Sequence, residues 1–239
     1  MKISLWSGPR TCSTALMYSF GARPDVAVVD EPLFGHYLLE SGAHRPSRKE
    51  VLEGMELDAF ALIQAMNRPA LQAGEHVFFK HMACHLRGFA PEVFAEHTHV
   101  LLVRHPARVL SSYTAHIEAP SLEDLGYDWQ VDWLNQCKRN DWPVVVVDSD
   151  ALVAAPAAGL EALCAFLGLP WTEAMLSWPA GGRQEDGVWA KYWYHAVHRS
   201  TGWVEKPEMA ELPAVADELR DVFDICLPLY RSLVAHSIV

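Results

Sequence analysis

The sequence predicts an α/β fold, a three-layer doubly wound parallel sheet followed by a helical, aromatic-rich C-terminal region. Three observations predict it. Apolar runs rich in Val, Ile, Leu and Phe recur at residues 3–6, 26–29, 77–79, 100–103 and 144–147, the pattern of strands buried on both faces. Between them, residues 14–20, 58–67, 106–116, 128–140 and 157–167 repeat apolar side chains at three and four positions, as helices do. The first run passes through a hydroxyl-rich turn directly into the first helix. Such alternation places ligands at the carboxyl edge of the sheet.

Length and composition bound the answer further. A chain of 239 residues, 51% of them hydrophobic, buries a sizeable core and fits one domain over residues 1–239. The formal net charge of −11 opposes nucleic acid or an anionic membrane as partner, so an anionic ligand needs a local cluster of cations and helix ends. Five cysteines (Cys12, Cys84, Cys137, Cys164, Cys226) form no C-x-x-C pair, which argues against a disulfide framework or zinc and fits a reducing cytoplasm. The chain enters its first strand at Lys2–Ser7 with no basic leader, and no apolar run approaches membrane-spanning length. The expectation is a cytoplasmic protein with a small-molecule partner.

The first strand ends in Gly8-Pro9-Arg10-Thr11-Cys12-Ser13-Thr14. Backbone N–H groups, hydroxyls and a guanidinium at a helix start form a cradle for phosphate or sulfate. The triphosphate-binding loop G-x-x-x-x-G-K-[ST] needs a second glycine and a lysine that are absent here, which demotes kinase chemistry. By itself the loop also reads as an ordinary turn capped by Ser or Thr. The fourth strand decides between them. It runs into Arg104-His105-Pro106-Ala107-Arg108-Val109-Leu110-Ser111-Ser112, where an arginine at the strand end and a serine two helical turns later can face one phosphate, with Pro106 suited to the first turn. Residues 40–47, with Gly, His, Pro and Ser, read as surface punctuation. Trp171, Trp178, Trp189, Tyr192, Trp193, Tyr194 and Trp203 read as core or lid packing, some lining a substrate mouth. From Pro207 onward a helical segment, interrupted or kinked near Pro213 and Pro228, closes the chain.

At these residues the chain resembles the PAPS-dependent sulfotransferases, closest in motif pattern to the tyrosylprotein-sulfotransferase-like and bacterial branch. The resemblance implies the P-loop nucleotide-binding type of sheet and a donor, 3′-phosphoadenosine 5′-phosphosulfate (PAPS), with PAP as product and no metal. It implies that Gly8 to Thr14 hold the 5′-phosphosulfate, that Arg104 and Ser112 hold the 3′-phosphate, and that Ser200 and Thr201 of Arg199-Ser200-Thr201-Gly202 return to the cofactor. Asp30-Glu31-Pro32-Leu33 stands where that branch carries a catalytic glutamate, and Phe78-Phe79-Lys80 where it carries a lysine that stabilises the transferring group. Asp148-Ser149-Asp150-Ala151-Leu152 and Phe166-Leu167-Gly168-Leu169-Pro170 look like structural motifs of the family. Cys12 departs from the pattern by standing where glycine is usual.

Sulfuryl transfer through a loose, in-line transition state asks the protein to position its partners and neutralise oxygen charge, which suits Arg10 and Lys80. The acceptor hydroxyl or amine must lose a proton, which suits Glu31, with His81 or His85 as the alternative base. The pairs His81/His85 and His195/His198 have helical spacing without an acidic or cysteine partner, so no metal is expected. An atypical small-molecule kinase and a non-catalytic nucleotide-binding module are the competing readings.

Overall fold

The structure, a computed structural model, describes residues 1–68, 76–205 and 211–239. All five expected strands form: β1 (Lys2–Ser7), β2 (Val26–Asp30), β3 (His76–Met82), β4 (His97–Val103) and β5 (Val144–Asp148). They make one parallel sheet in the order β2-β3-β1-β4-β5.

Period-two alternation splits the core into two layers. Ile3, Leu5, Phe78, Val100, Leu102, Val145 and Val147 pack on one face with α1 (Ser13–Gly21), α8 (Ser149–Ala154) and α9 (Pro156–Leu167). Trp6, Phe79, Leu101, Val103 and Val146 pack on the other with α4 (Ala59–Asn67), α5 (Pro106–Tyr113), α7 (Tyr127–Arg139) and α12 (Arg220–Val234). Burying both faces explains why the strands read as continuous apolar runs rather than as alternating ones.

The expected helices begin and end close to their predicted limits. Asp58 caps α4 by accepting from Ala61 N, and Gly168 ends α9 in the left-handed conformation (φ 67°). The structure adds α2 (Phe34–Ser41) and α3 (Arg48–Gly54), and four-residue turns α6 (Leu122–Leu125), α10 (Ala190–Trp193) and α11 (His195–His198). The loop at residues 40–47 is therefore a correction: its first two residues finish α2, and Gly42 (φ 69°) closes that helix. The C-terminal helix is a second. Pro207 lies outside the described residues, Pro213 lies in irregular chain, and α12 starts only at Arg220 and runs unbroken through Pro228. Among the described residues, no helix is long and apolar enough to cross a membrane.

The strand order creates a switch point. Chain leaves β1 toward β2 and leaves β4 toward β5, in opposite directions, so a crevice opens between the carboxyl ends of the neighbours β1 and β4.

Candidate active site

The β1 turn fills one side of that crevice. Gly8 passes so close to α6 that an added Cβ would stand 2.6 Å from the Leu125 carbonyl oxygen, which is why the loop needs glycine there. Thr11 Oγ1 donates back to Gly8 O at 3.0 Å and closes the turn. Arg10 (φ 58°) and Cys12 (φ 62°) both take the left-handed backbone, which curls the loop. Cys12 holds this conformation, which favours glycine, at a strain of about 1 kcal/mol. No side chain caps α1, and Ser13, Thr14 and Ala15 of its first turn line the cavity above it.

Two arginines meet at this turn. Arg10 Nε donates to Ser112 Oγ at 2.8 Å, and Arg104 Nη1 donates to the Arg10 carbonyl at 2.9 Å. Arg104 is held by Asp150 (Nε to Oδ1, 2.8 Å), itself a second partner of Arg108, which gives the Asp148–Leu152 motif its structural role. Among the described residues, Arg10 donates to the Ser112 hydroxyl and the Trp193 carbonyl and to no carboxylate. Burial holds its guanidinium below the usual arginine value, and the like charge of Arg104 adds to this. An anion placed between these cations would relieve both effects.

The second half of the site is a buried ionic centre at the ends of β2 and β3. Sheet register sets Asp30 beside Lys80, and Glu31 follows in a left-handed conformation (φ 45°) with its N–H on the Lys80 carbonyl at 2.8 Å. Lys80, 1% exposed, uses all three of its donors: to Asp30 Oδ1 (3.0 Å), to Tyr194 OH (2.7 Å) and to Glu31 Oε1. Burial opposes the ammonium, but Asp30 and Glu31 outweigh it and lift Lys80 well above the ordinary lysine value. Glu31 moves the other way from most paired carboxylates. Burial raises it and Asp30 adds to the rise, against the pull of Lys80.

Tyr194 locks Asp30. Its hydroxyl lies 2.9 Å from both Asp30 oxygens and accepts from Lys80 and from Trp189 Nε1 (3.0 Å), while Gly187 N–H donates to Asp30 Oδ2 at 3.1 Å. Three donors thereby hold Asp30 in place. Glu31 Oε2 stands 3.9 Å from His85 Nε2, and a hydrogen bond from Tyr194 joins Lys80 in opposing the rise of the Glu31 carboxyl.

A single cavity of about 420 Å³ joins the two halves. Pro9 to Thr14, Glu31, Lys80, Arg104, Ser112 and Ser200 all line it, so the structure gathers most residues singled out from the sequence. Gly8 stands behind the lining, shaping the loop. Ser200 accepts from Trp178 Nε1 (3.1 Å), whereas Thr201 is exposed and meets Trp178 only through its backbone carbonyl. Of the two alternative bases, His85 lines the cavity, with burial first and Lys80 next keeping its imidazole well below the usual value. His81 faces the opposite side of the sheet, stacked on Trp6 at 4.3 Å.

Three residues of the site escaped the sequence reading. Asp30 was visible through strand parity, lying two residues beyond the inward-facing Val28. Tyr194 gave no signal apart from its place among the C-terminal aromatics. Arg45 sits in the loop read as surface punctuation, yet its side chain is only 13% exposed, pairs with Asp124 and lines the cavity.

The family model for the sulfotransferase domain matches residues 1–237 of this chain. Two proteins of Arabidopsis thaliana, described as branched-chain-amino-acid aminotransferase-like proteins 2 and 1, are each 35% identical to it over 98% of its length. The chain spans only 41% and 42% of those two proteins, respectively. Among solved structures, the sulfotransferase domain from the Synechococcus PCC 7002 olefin synthase matches with TM-score 0.55 at 16% identity, covering 94% of each chain. A sulfotransferase from Alicyclobacillus acidocaldarius matches with TM-score 0.55 at 13% identity, covering 99% of this chain and 96% of that one. At such identities these two likenesses speak for the fold, and the match of the domain model over nearly every residue carries the assignment: this chain belongs to the sulfotransferase family.

Proposed function

We propose that this chain transfers the sulfuryl group of PAPS to a hydroxyl or amine of a small-molecule acceptor. The observation that carries the reading is the opening of the Arg10–Ser112–Arg104 cluster and the Lys80–Glu31 centre into one cavity. Anionic and reactive groups of one ligand can thus be held at once. The uncapped first turn of α1 and the two arginines, one without a carboxylate partner, fit the phosphates of such a donor. When bound, PAPS supplies an activated sulfuryl group on a phosphate leaving group.

The protein's own share of the work divides between two adjacent carboxylates. Asp30, held by Lys80, Tyr194 and Gly187, is the counterion that keeps Lys80 charged. Glu31 lines the cavity and has a raised proton affinity, so it takes the acceptor proton as the new S–O or S–N bond forms and the S–O bond to phosphate breaks. Lys80 and Arg10 neutralise charge on the transferring group and the departing phosphate oxygen.

The test combines binding and turnover. PAP at about 100 times its Kd stabilises the fold by about 2.7 kcal/mol, a rise of several degrees in Tm, whereas ATP with magnesium does not. Glu31→Gln keeps PAP affinity and slows transfer from labelled PAPS to a responsive acceptor by about 10²- to 10⁴-fold. Stabilisation by ATP–magnesium but not by PAP would instead favour the kinase reading. Tight PAP binding with transfer unchanged in Glu31→Gln would remove Glu31 as the base.

A further inference from the structure

The far wall of the cavity, away from the arginines of the β1 turn, is built from Phe34, Tyr37, Met82, Cys84 and His85 and ends at Arg45. Phe34 stacks on His85 with ring centroids 5.1 Å apart, and Tyr37 lies 5.0 Å from the same ring. These contacts form a continuous aromatic wall from the neighbourhood of Glu31 toward Arg45. The guanidinium at its end is an unusual thing to bury beside rings. It is not there to complete a saturated ion pair. Nη1 donates to the His44 carbonyl at 2.9 Å and Nη2 to Asp124 Oδ1, so among the described residues two of the five N–H donors of an arginine are used.

Asp124 cannot serve a ligand in the same way. Its Oδ2 accepts from Ser121 N (2.9 Å) and Ser121 Oγ (2.7 Å) as half of the capping box of α6, and its Oδ1 accepts from Arg45. The helix cap fixes the carboxylate, the carboxylate fixes the guanidinium, and the pair offers the cavity hydrogen-bond donors and few acceptors. The matching ligand group is an acceptor, and the planar fork of arginine suits a carboxylate best.

We propose that Arg45 selects the acceptor substrate: the cavity takes a hydroxyl or amine compound whose apolar or aromatic body lies along Phe34, Tyr37 and His85 and whose other end carries a carboxylate seated on Arg45. This rests on the sulfuryl-transfer reading and narrows its acceptor to a class, the hydroxy or amino carboxylates. A loop with no apolar periodicity supplies the residue that decides which molecule enters.

The test uses matched acceptors with and without the charge: para-hydroxyphenylacetate against its primary amide, and a six-carbon ω-hydroxy acid against its amide. Transfer from labelled PAPS is followed in the wild type, Arg45→Gln and Arg45→Lys, with PAP affinity measured by calorimetry in each. The expected result is a preference for the carboxylate of about 10- to 100-fold in kcat/KM on at least one skeleton, expressed mainly in KM. Arg45→Gln abolishes that preference, Arg45→Lys restores part of it, and PAP affinity stays close to wild type in both. Amides that match their acids, a preference that survives Arg45→Gln, or PAP binding with neither acid accepted would each overturn the inference alone. Failure of PAP to bind the wild type would overturn the sulfuryl-transfer reading and the inference with it.

Discussion

Replacing Lys80 with methionine removes the one cation from a buried centre that holds two carboxylates. With Asp30 Oδ1 3.0 Å away, the gross attraction at an effective dielectric of about 20 is about 5–6 kcal/mol, and Glu31 contributes a second contact of the same kind. Desolvation of the three groups cancels part of this, and breaking such a pair from one side costs about 3–5 kcal/mol. For a chain of this length that is roughly 10 °C in Tm. The cost depends on pH in a defined direction. Burial already raises the Glu31 carboxyl, and losing Lys80 removes the main influence that lowers it. A carboxyl with a folded-state value above its unfolded one binds more protons when folded, so its contribution to stability declines as pH rises through that interval. The Lys80→Met penalty relative to wild type is therefore larger at pH 8 than at pH 6. Adding Asp30→Asn to Lys80→Met removes one of the two stranded charges and recovers about half of the loss. Urea unfolding followed by tryptophan fluorescence at both pH values measures all four proteins of the cycle, Asp30→Asn alone included. A penalty below about 1 kcal/mol, one that is equal at the two pH values, or a double variant no more stable than Lys80→Met would refute this account of the centre.

Two other outcomes follow from side chains on opposite sides of the sheet. Cys12 is the partly exposed cysteine, while Cys84, Cys137, Cys164 and Cys226 are buried and burial pushes the thiols of Cys84, Cys137 and Cys226 up to about 12. Brief iodoacetamide treatment of the native protein, mapped by mass spectrometry, labels Cys12 first, and PAP protects it; labelling of Cys84 before Cys12, or no protection, contradicts the placement of the anion turn. Under the sheet, burial and then the like charge of His99 lower His97 to about 3, and burial lowers His99 to about 4. The unfolded chain takes up protons at these histidines below about 6.5 and the folded one does not, so stability falls as pH drops from 6.5 toward 4, by about 1.4 kcal/mol per unit for each. Urea midpoints between pH 7 and 5 measure this slope, and His99→Gln reduces it by one histidine's share; an unchanged slope would contradict the burial of a neutral imidazole.

The elements legible in the sequence are those whose residues answer to a single requirement. Each strand is buried on both faces, so Val, Ile, Leu and Phe dominate it and nothing competes with that signal. The same clarity marks α1, α4, α5, α7 and α9. By contrast, α2 mixes a tight approach at Gly35, where a Cβ would meet Leu57 at 2.8 Å, with cavity-lining Phe34 and Tyr37. Phe34 to Leu38 are all buried, and at eight residues the helix is too short for its one apolar side to stand out from the loops around it. The helical turns α6, α10 and α11 are one turn long, too short for any period to appear.

The site divides along the same line. Arg10, Glu31, Lys80 and Arg104, singled out by the turn chemistry and by the family resemblance, stand at strand ends, and the sheet brings them to one cavity. Tyr194 and Arg45 come from segments folded over the sheet edge, and only tertiary contact places them: Tyr194 through Asp30, Arg45 through the cap of α6. The sheet order then assigns their separate uses in the proposed reaction. The ends of β1 and β4 adjoin and carry Arg10 and Arg104, so the donor's phosphates belong there, above the switch point. The ends of β3 and β2 come next on the other side of β1 and carry Lys80, then Asp30 and Glu31, so the transferring group lies over β3 and the acceptor oxygen or nitrogen toward β2. An acceptor entering in line from that side must lean on α2 and the loop after it, and that loop is where Arg45 stands.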